Sequence, residues 1–282
     1  QIVIGLGCFV ETLAIAATAS GLTAEVAAFP EGFDDAALDA RPVARIRLTP
    51  GAALDPLFAE IPRRRTNKEL YEDRPVTEAA LAALRAAAPG TEVEASPEAV
   101  ARLRDLAWRA HEVESYTPRT LKESLDLMRF GKSQILANPD GIDLGGAFLE
   151  ALHHAGELTP ENMADTSSMA FAQGMEMYHA LIHSAAAWVW QIGPAGRMGE
   201  IEAGRRWMRL ALTASAEGVD VQPFSQALQE YPEMDALYAE AHEALGVDPA
   251  SGRRVHMLAR LGYGPEVKAS PRWPMETRLR DA

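Results

Sequence analysis

The stretch Ala203-Gly204-Arg205-Arg206-Trp207-Met208-Arg209-Leu210-Ala211-Leu212-Thr213-Ala214-Ser215-Ala216-Glu217-Gly218-Val219 reads as a helix stopped by a glycine. An extended segment, Asp220-Val221-Gln222-Pro223-Phe224, follows it, and a strand comes later at Val255 to Leu261. The same order opens the chain. Ile2 to Gly21 is rich in Ala, Leu and Ile and ends in Ser20-Gly21-Leu22. Then come an extended stretch, Ala24 to Phe29, a turn at Pro30-Glu31-Gly32, and a second strand, Val43 to Leu48. From Ala44 onward that strand alternates apolar and basic residues, as a half-solvated strand does. Superposing Gly21 on Gly218 places Gly7 over Gly204, Leu13 over Leu210, Ala14 over Ala211 and Ala17 over Ala214. The coincidences and the shared order point to two related halves, a fused dimer with a pseudo-twofold axis.

Between the repeats the pattern is mostly helical. Thr77 can cap a helix over 77–88 that carries Leu81 and Leu84 on one face. A second helix is expected over 96–113, with Val100, Leu103 and Leu106 inward, and a third over 118–135, with Leu121, Leu125 and Met128 inward. Met169 to His183 is a fourth. Trp188 to Ile192 reads as a strand stopped by Gly193-Pro194, with its tryptophans in the core. Asn138 to Thr159 is glycine-rich and broken and reads as a mobile cover. The fold class is α+β: mixed sheets wrapped by long helices.

Forty acidic residues against 27 basic ones leave a net charge of −13, which disfavours nucleic acid and anionic membranes as partners. The single cysteine, Cys8, rules out an intramolecular disulfide and lies in an apolar helical pattern suited to packing. The longest apolar run, Leu6 to Ala19, is interrupted by Glu11 and too short to cross a bilayer. The chain opens at Gln1 inside a helical pattern, so further sequence is expected before it. A cytoplasmic protein is expected, with a removed export segment left open.

Against this acidic background one basic run stands out: Pro62-Arg63-Arg64-Arg65-Thr66-Asn67-Lys68. Guanidinium groups grip phosphate in a forked geometry and a hydroxyl adds a directional contact. On charge alone a solvated loop paired with Glu60, Glu69, Glu72 and Asp73 is the commoner outcome. Glu176, His179 and His183 could share a helical face and hold a metal, but the polar edge of an amphipathic helix is the commoner explanation, and no metal is expected. His153-His154 could line an opening or lie on the surface. No Ser-His-Asp signature, dinucleotide fingerprint or P-loop occurs.

Arg64-Arg65-Thr66-Asn67-Lys68 followed by Arg74-Pro75-Val76 resembles the opening of the nitroreductase family. Gly204 to Val219 resembles that family's long helix. Leu261-Gly262-Tyr263-Gly264-Pro265, followed by Arg272-Trp273-Pro274, resembles its closing strand and tail. The chain looks closest to the Acg-like branch, in which two halves share one polypeptide. The resemblance implies FMN as cofactor. Arg64 and Thr66 match phosphate and ribityl contacts, Arg65 lies between them, and Lys68 matches the basic residue near the pyrimidine edge. Gln222, Pro223, Phe224 and Ser225 match a strand end whose backbone approaches flavin N5. Arg272 matches a phosphate-binding residue of the tail, with Lys268 beside it. Phe29 to Phe33 resembles the strand-end segment in the first half. The family's Pro-Ser-Ser-x-Asn-x-Gln-Pro-Trp-like motif is absent and would belong before Gln1.

The resemblance divides the chain into residues 1–59, the remnant of a first half, and 60–282, the second half. It implies an oxidoreductase that moves a hydride from NAD(P)H to flavin and electrons on to a nitro compound, quinone or similar small acceptor, with no side chain acting as acid or base. The protein would be a monomeric pseudo-dimer or a homodimer. The alternatives are a flavin-sequestering protein with a covered FMN and a non-flavin helical binding protein.

Overall fold

The computed structural model describes residues 1–279. Helix α1 (Ile2–Thr18) buries Val3, Ile4, Gly7, Val10, Glu11 and Ile15, a three- and four-residue spacing that makes one inward face. That face packs on α9 (Arg197–Ala216), which buries Ile201, Gly204, Trp207, Leu210 and Ala211. Two glycines make the crossing close. A Cβ on Gly7 would collide with the Ile201 carbonyl and sit 3.0 Å from the Gly204 Cα. A Cβ on Gly204 would collide with the Ile4 carbonyl and sit 2.8 Å from the Gly7 Cα. The contacts are reciprocal: the alignment that equates Gly7 with Gly204 also equates Ile4 with Ile201. Reciprocal contact is what elements related by a twofold make at the axis.

After α1 the chain turns at Gly21, which holds a φ of +69°. Strand β1 (Leu22–Ala28) pairs antiparallel with β2 (Ala44–Pro50), from Leu22 opposite Pro50 to Ala28 opposite Ala44. Arg45 and Arg47 point outward, as the alternation predicted. A 3₁₀ turn, Pro56–Glu60, capped by the Asp55 carboxylate, leads to the basic run.

The larger sheet holds β3 (Thr91–Glu94), β6 (Ala187–Pro194), β8 (Arg253–Gly262) and β7 (Asp220–Pro223) in that order, all antiparallel. Its two faces feed two cores. Trp188 and Leu258 face Leu103 and Leu106 of α3 (Pro97–Tyr116), Ile182 of α8 (Met169–His183) and Leu237 of α10 (Asp235–Ala244). Val189 and Ala259, one residue on, face Leu81 and Leu84 of α2 (Glu78–Ala87) together with Leu210 of α9. Adjacent strand residues thus serve opposite layers, with the sheet between helices. The architecture is α+β, as expected.

Three expectations change. The helix expected over 118–135 breaks into α4 (Pro118–Asp126), β4 (Met128–Phe130) and α5 (Gly131–Ala137). Gly131 takes a φ of +69°, which ends any continuous helix, and β4 instead pairs in parallel with β5 (Ile142–Leu144). The glycine-rich stretch after it is built from β5 and α6 (Ala147–His154), and α7 (Pro160–Ala164) follows. Finally, α9 begins at Arg197 and not at Ala203, because Gly199 fits under the Pro194 carbonyl where any Cβ would clash. Among the described residues no helix is long and apolar enough to cross a membrane.

Candidate functional site: a cavity beside the helix crossing

A cavity of about 570 Å³ opens where α1, α9, β8 and the end of β7 meet. Ile4, Gly5 and Cys8 of α1 form one wall. Trp207 of α9 and Val255, His256 and Met257 of β8 form another, and Pro223, Ser225, Gln226 and Gln229 close the strand-end side. Its size lies within the range of small-molecule and cofactor sites.

The strand-end wall is rigid. Ser225 Oγ donates to the Leu258 carbonyl at 3.0 Å and accepts from the Leu258 N–H at 3.1 Å, while Phe224 N donates to that carbonyl at 2.9 Å. Gln222 Oε1 accepts from Arg260 Nε at 2.8 Å, and Phe224 is only 2 % exposed, packed on Trp188 and Tyr178. The side chains of Gln222 and Phe224 are therefore consumed by the core, and only the backbone at their positions is left to face a ligand. The Ser225 N–H has no acceptor among the described residues.

On the β8 side, His256 Nε2 donates to the Pro194 carbonyl at 2.9 Å. Burial pushes its pKa down to about 4, and the charges of Arg206 and Arg254 push the same way. At neutral pH it is a neutral imidazole whose Nδ1 accepts hydrogen bonds. Cys8 is the junction between the cavity and the basic run. Burial raises its thiol to about 11 against the opposing pull of the Arg64 charge. It is therefore a protonated, half-buried wall residue, as well as the packing residue expected.

Arg64 lies beside Cys8 and within electrostatic reach of Arg272. Burial lowers its pKa, and the Arg272 charge lowers it further. The Arg64 guanidinium makes no hydrogen bond and no ion pair among the described residues, and Arg272 donates only to its own tail, to the Pro271 carbonyl at 2.8 Å and the Ser270 carbonyl at 3.5 Å. Two guanidinium groups within electrostatic reach of each other and without a counter-ion among the described residues, in a chain of charge −13, offer positive charge to an anion, although neither lines the 570 Å³ cavity.

The other expected site residues fall differently. Arg65 folds back onto the carbonyls of Pro62 (2.8 Å) and Arg64 (2.9 Å) and, with Arg63, lines a separate cavity of about 450 Å³. Thr66, Lys68 and Lys268 are exposed and line none of the cavities described here. Asn67, which sequence reasoning passed over, is 1 % exposed. Its amide donates to the Pro265 carbonyl at 2.8 Å and accepts from Glu69 N at 3.0 Å, stapling the basic run to the tail. Trp207, Gln226 and His256 were also missed, because nothing local in the sequence distinguishes a cavity wall from a core face. His179 and His183 stack at 3.9 Å, and no group of three potential metal ligands forms among the described residues. The 138–159 stretch lines no part of the 570 Å³ cavity, but Asp140 accepts from Trp273 Nε1 at 2.9 Å, next to Arg272.

No family model and no curated protein matches the chain. Solved structures similar to it include an FMN-dependent nitroreductase from Mycobacterium smegmatis in complex with NADPH, 19 % identical at a TM-score of 0.46, covering 79 % of this chain and 96 % of that one. A nitroreductase with bound FMN from Bacteroides fragilis is 14 % identical at 0.42, covering 76 % and 93 %. Oxidised iodotyrosine deiodinase bound to FMN and 3-iodo-L-tyrosine is 13 % identical at 0.41, covering 77 % and 94 %. At these scores the likeness is loose, and function has to be argued from the site itself.

Proposed function

We propose that this chain is an FMN-dependent oxidoreductase of nitroreductase type, with residues 1–59 belonging to one half and 60–282 to the other. The observation that carries the reading is that Arg64, unneutralised and within electrostatic reach of Arg272, lies near Cys8, a wall residue of the 570 Å³ cavity, although neither arginine lines that cavity itself. The reciprocal contact of Gly7 and Gly204 supports the two halves.

The residues present fit the cofactor. A phosphate dianion would neutralise Arg64 and Arg272. The unpartnered Ser225 N–H offers a fixed donor to a ring edge. Ile4, Trp207 and Met257 supply apolar walls that exclude water. Cys8, held protonated, offers no competing nucleophile. Bound FMN would supply the redox chemistry, taking a hydride from NAD(P)H and passing electrons to a nitro compound, quinone or similar acceptor. The parts given to Thr66, Lys68 and Lys268 rest on the resemblance alone, and Arg65 is better placed to hold the loop than to touch a ligand.

One observation favours a flavin-sequestering protein instead. The Trp273–Asp140 hydrogen bond ties the tail that carries Arg272 to the segment over 138–159, which could hold a cofactor closed. Titrating the FMN-loaded protein with NADH and NADPH separates the two readings. The oxidoreductase reading expects either nucleotide to bleach the flavin spectrum. Bleaching by dithionite alone would support sequestration.

A further inference from the structure

A cavity of about 710 Å³ lies apart from the proposed flavin site, between residues 70–75, the start of α3 and the junction of α8 with β6. It shares no lining residue with the 570 Å³ cavity. Arg260 stands between them: its Nη1 donates to Ser184 Oγ at 2.6 Å on one side, and its Nε donates to Gln222 on the other.

Arg104 of α3 lines this second cavity. Its Nη2 donates to the Ala185 carbonyl at 2.6 Å, which fixes the guanidinium plane. Its Nε is buried with no partner, and no carboxylate pairs with it among the described residues. Several arginines of the helices are neutralised, Arg109 by Asp105 and Glu240, Arg119 by Glu233, Arg205 and Arg209 by Glu11. Among the described residues Arg85, Arg102 and Arg206 bond only to backbone carbonyls, and of the arginines without a carboxylate partner only Arg104 lines this cavity. A chain with 40 acidic residues has abundant partners to offer, yet this guanidinium faces a cavity without one. Glu72 on the rim is held by Arg74 at 2.6 Å, and Asp73 stands exposed. The rest of the wall includes Leu70, Pro75, Pro97 and Val100. His183 and Ser184 add polar edges to the wall, and a recess with apolar walls and one oriented guanidinium that no carboxylate neutralises is the complement of an organic anion with an apolar body.

We infer that this cavity is a second binding site, for a small organic carboxylate, with Arg104 as its anchor. The carboxylate accepts from Arg104 Nη1, the terminal nitrogen without a partner among the described residues, and the hydrocarbon body lies against Leu70, Pro75, Pro97 and Val100. The inference does not rest on the flavin reading.

The test is isothermal titration of the whole chain with benzoate and with neutral benzamide, in the presence of saturating FMN. Benzoate is expected to bind, and benzamide to bind at least about tenfold more weakly, the loss that follows when a charge-assisted hydrogen bond is removed. Arg104→Met should abolish that preference while Arg64→Met keeps it. Equal affinity for the two probes in the unsubstituted protein, no benzoate binding, or loss of the preference in Arg64→Met but not in Arg104→Met would each overturn the inference. If Arg104→Met fails to fold, survival of the preference in the Arg64→Met, Arg272→Met double variant supports the inference and its loss there overturns it.

Discussion

Arg260 donates its Nε–H to Gln222 Oε1 at 2.8 Å, and with the same guanidinium holds the Leu181 and Glu69 carbonyls and Ser184 Oγ, each at 2.6 Å. One fully buried side chain thus ties the strand end at the cavity to the end of α8 and to the loop after the basic run. It also lies over the Tyr71 ring, 3.7 Å from its centroid. Burial lowers its pKa to about 10, so it stays charged at neutral pH. Arg260→Met leaves several buried acceptors without donors. It should cost about 3 kcal/mol or more, since each buried acceptor left without a donor costs about 1–3 kcal/mol. Urea unfolding measures it, and a loss under 1 kcal/mol would mean that the network is ornamental.

The helix crossing predicts opposite signs for two glycines of one helix. Gly7→Ala puts a methyl group into the Ile201 carbonyl and should destabilise by about 1–3 kcal/mol, the range for overpacking. Gly5→Ala meets nothing within 4 Å and should stabilise by about 0.5–1 kcal/mol, since alanine is the better helix former. Thermal unfolding of the two variants reads the difference. Equal shifts would show that α1 does not touch α9 at Gly7.

Two buried histidines set an acid limit. Burial holds both His111 and His256 at about 4, below the ordinary 6.5, and His111 Nδ1 has no partner. Between pH 6.5 and 4 the unfolded chain takes up protons that the folded chain refuses. Stability present at neutral pH is therefore lost as pH falls through that window, by on the order of 3 kcal/mol for each histidine. His111 stacks on Tyr178 with centroids 4.2 Å apart, so His111→Phe should keep the packing and remove about half of the slope. Unfolding free energies at a series of pH values test this, and an unchanged slope in His111→Phe would refute it.

Two adjacent arginines and one from the tail should behave differently toward FMN. Arg64→Met and Arg272→Met should each weaken binding by about 10- to 100-fold, the worth of a charged hydrogen bond. Arg65→Met should weaken it far less, because that guanidinium is spent on the Pro62 and Arg64 carbonyls. Flavin fluorescence titrations of the three variants separate these outcomes, and the reverse ranking would move the phosphate to the Arg63–Arg65 cavity.

These contrasts show where local pattern stops being informative. Helix α8 could be read to the residue, because Ser168 caps it with a 3.0 Å bond to Phe171 N and its apolar spacing is unbroken. The Gly7–Gly204 match was visible because a crossing of equivalent helices needs small residues at equivalent places. The break at Met128 was hidden: Leu121, Leu125 and Met128 keep helical spacing, and the parallel pairing with 142–144 that pulls the chain out of helix is not local. Arg64 and Arg65 are chemically identical in sequence, and only the turn after Glu60 aims one at Cys8 and the other at its own backbone. His256 carries no local mark either, since on a strand flanked by helices every position is inward to something.

The most direct test of the central claim is the visible spectrum of the purified chain after reconstitution with FMN and gel filtration, compared with that of the Arg64→Met, Arg272→Met double variant. The account predicts that the unsubstituted protein retains the flavin absorption bands and that the folded double variant elutes colourless. An unsubstituted protein that elutes colourless, or a double variant that retains flavin equally well, would contradict it.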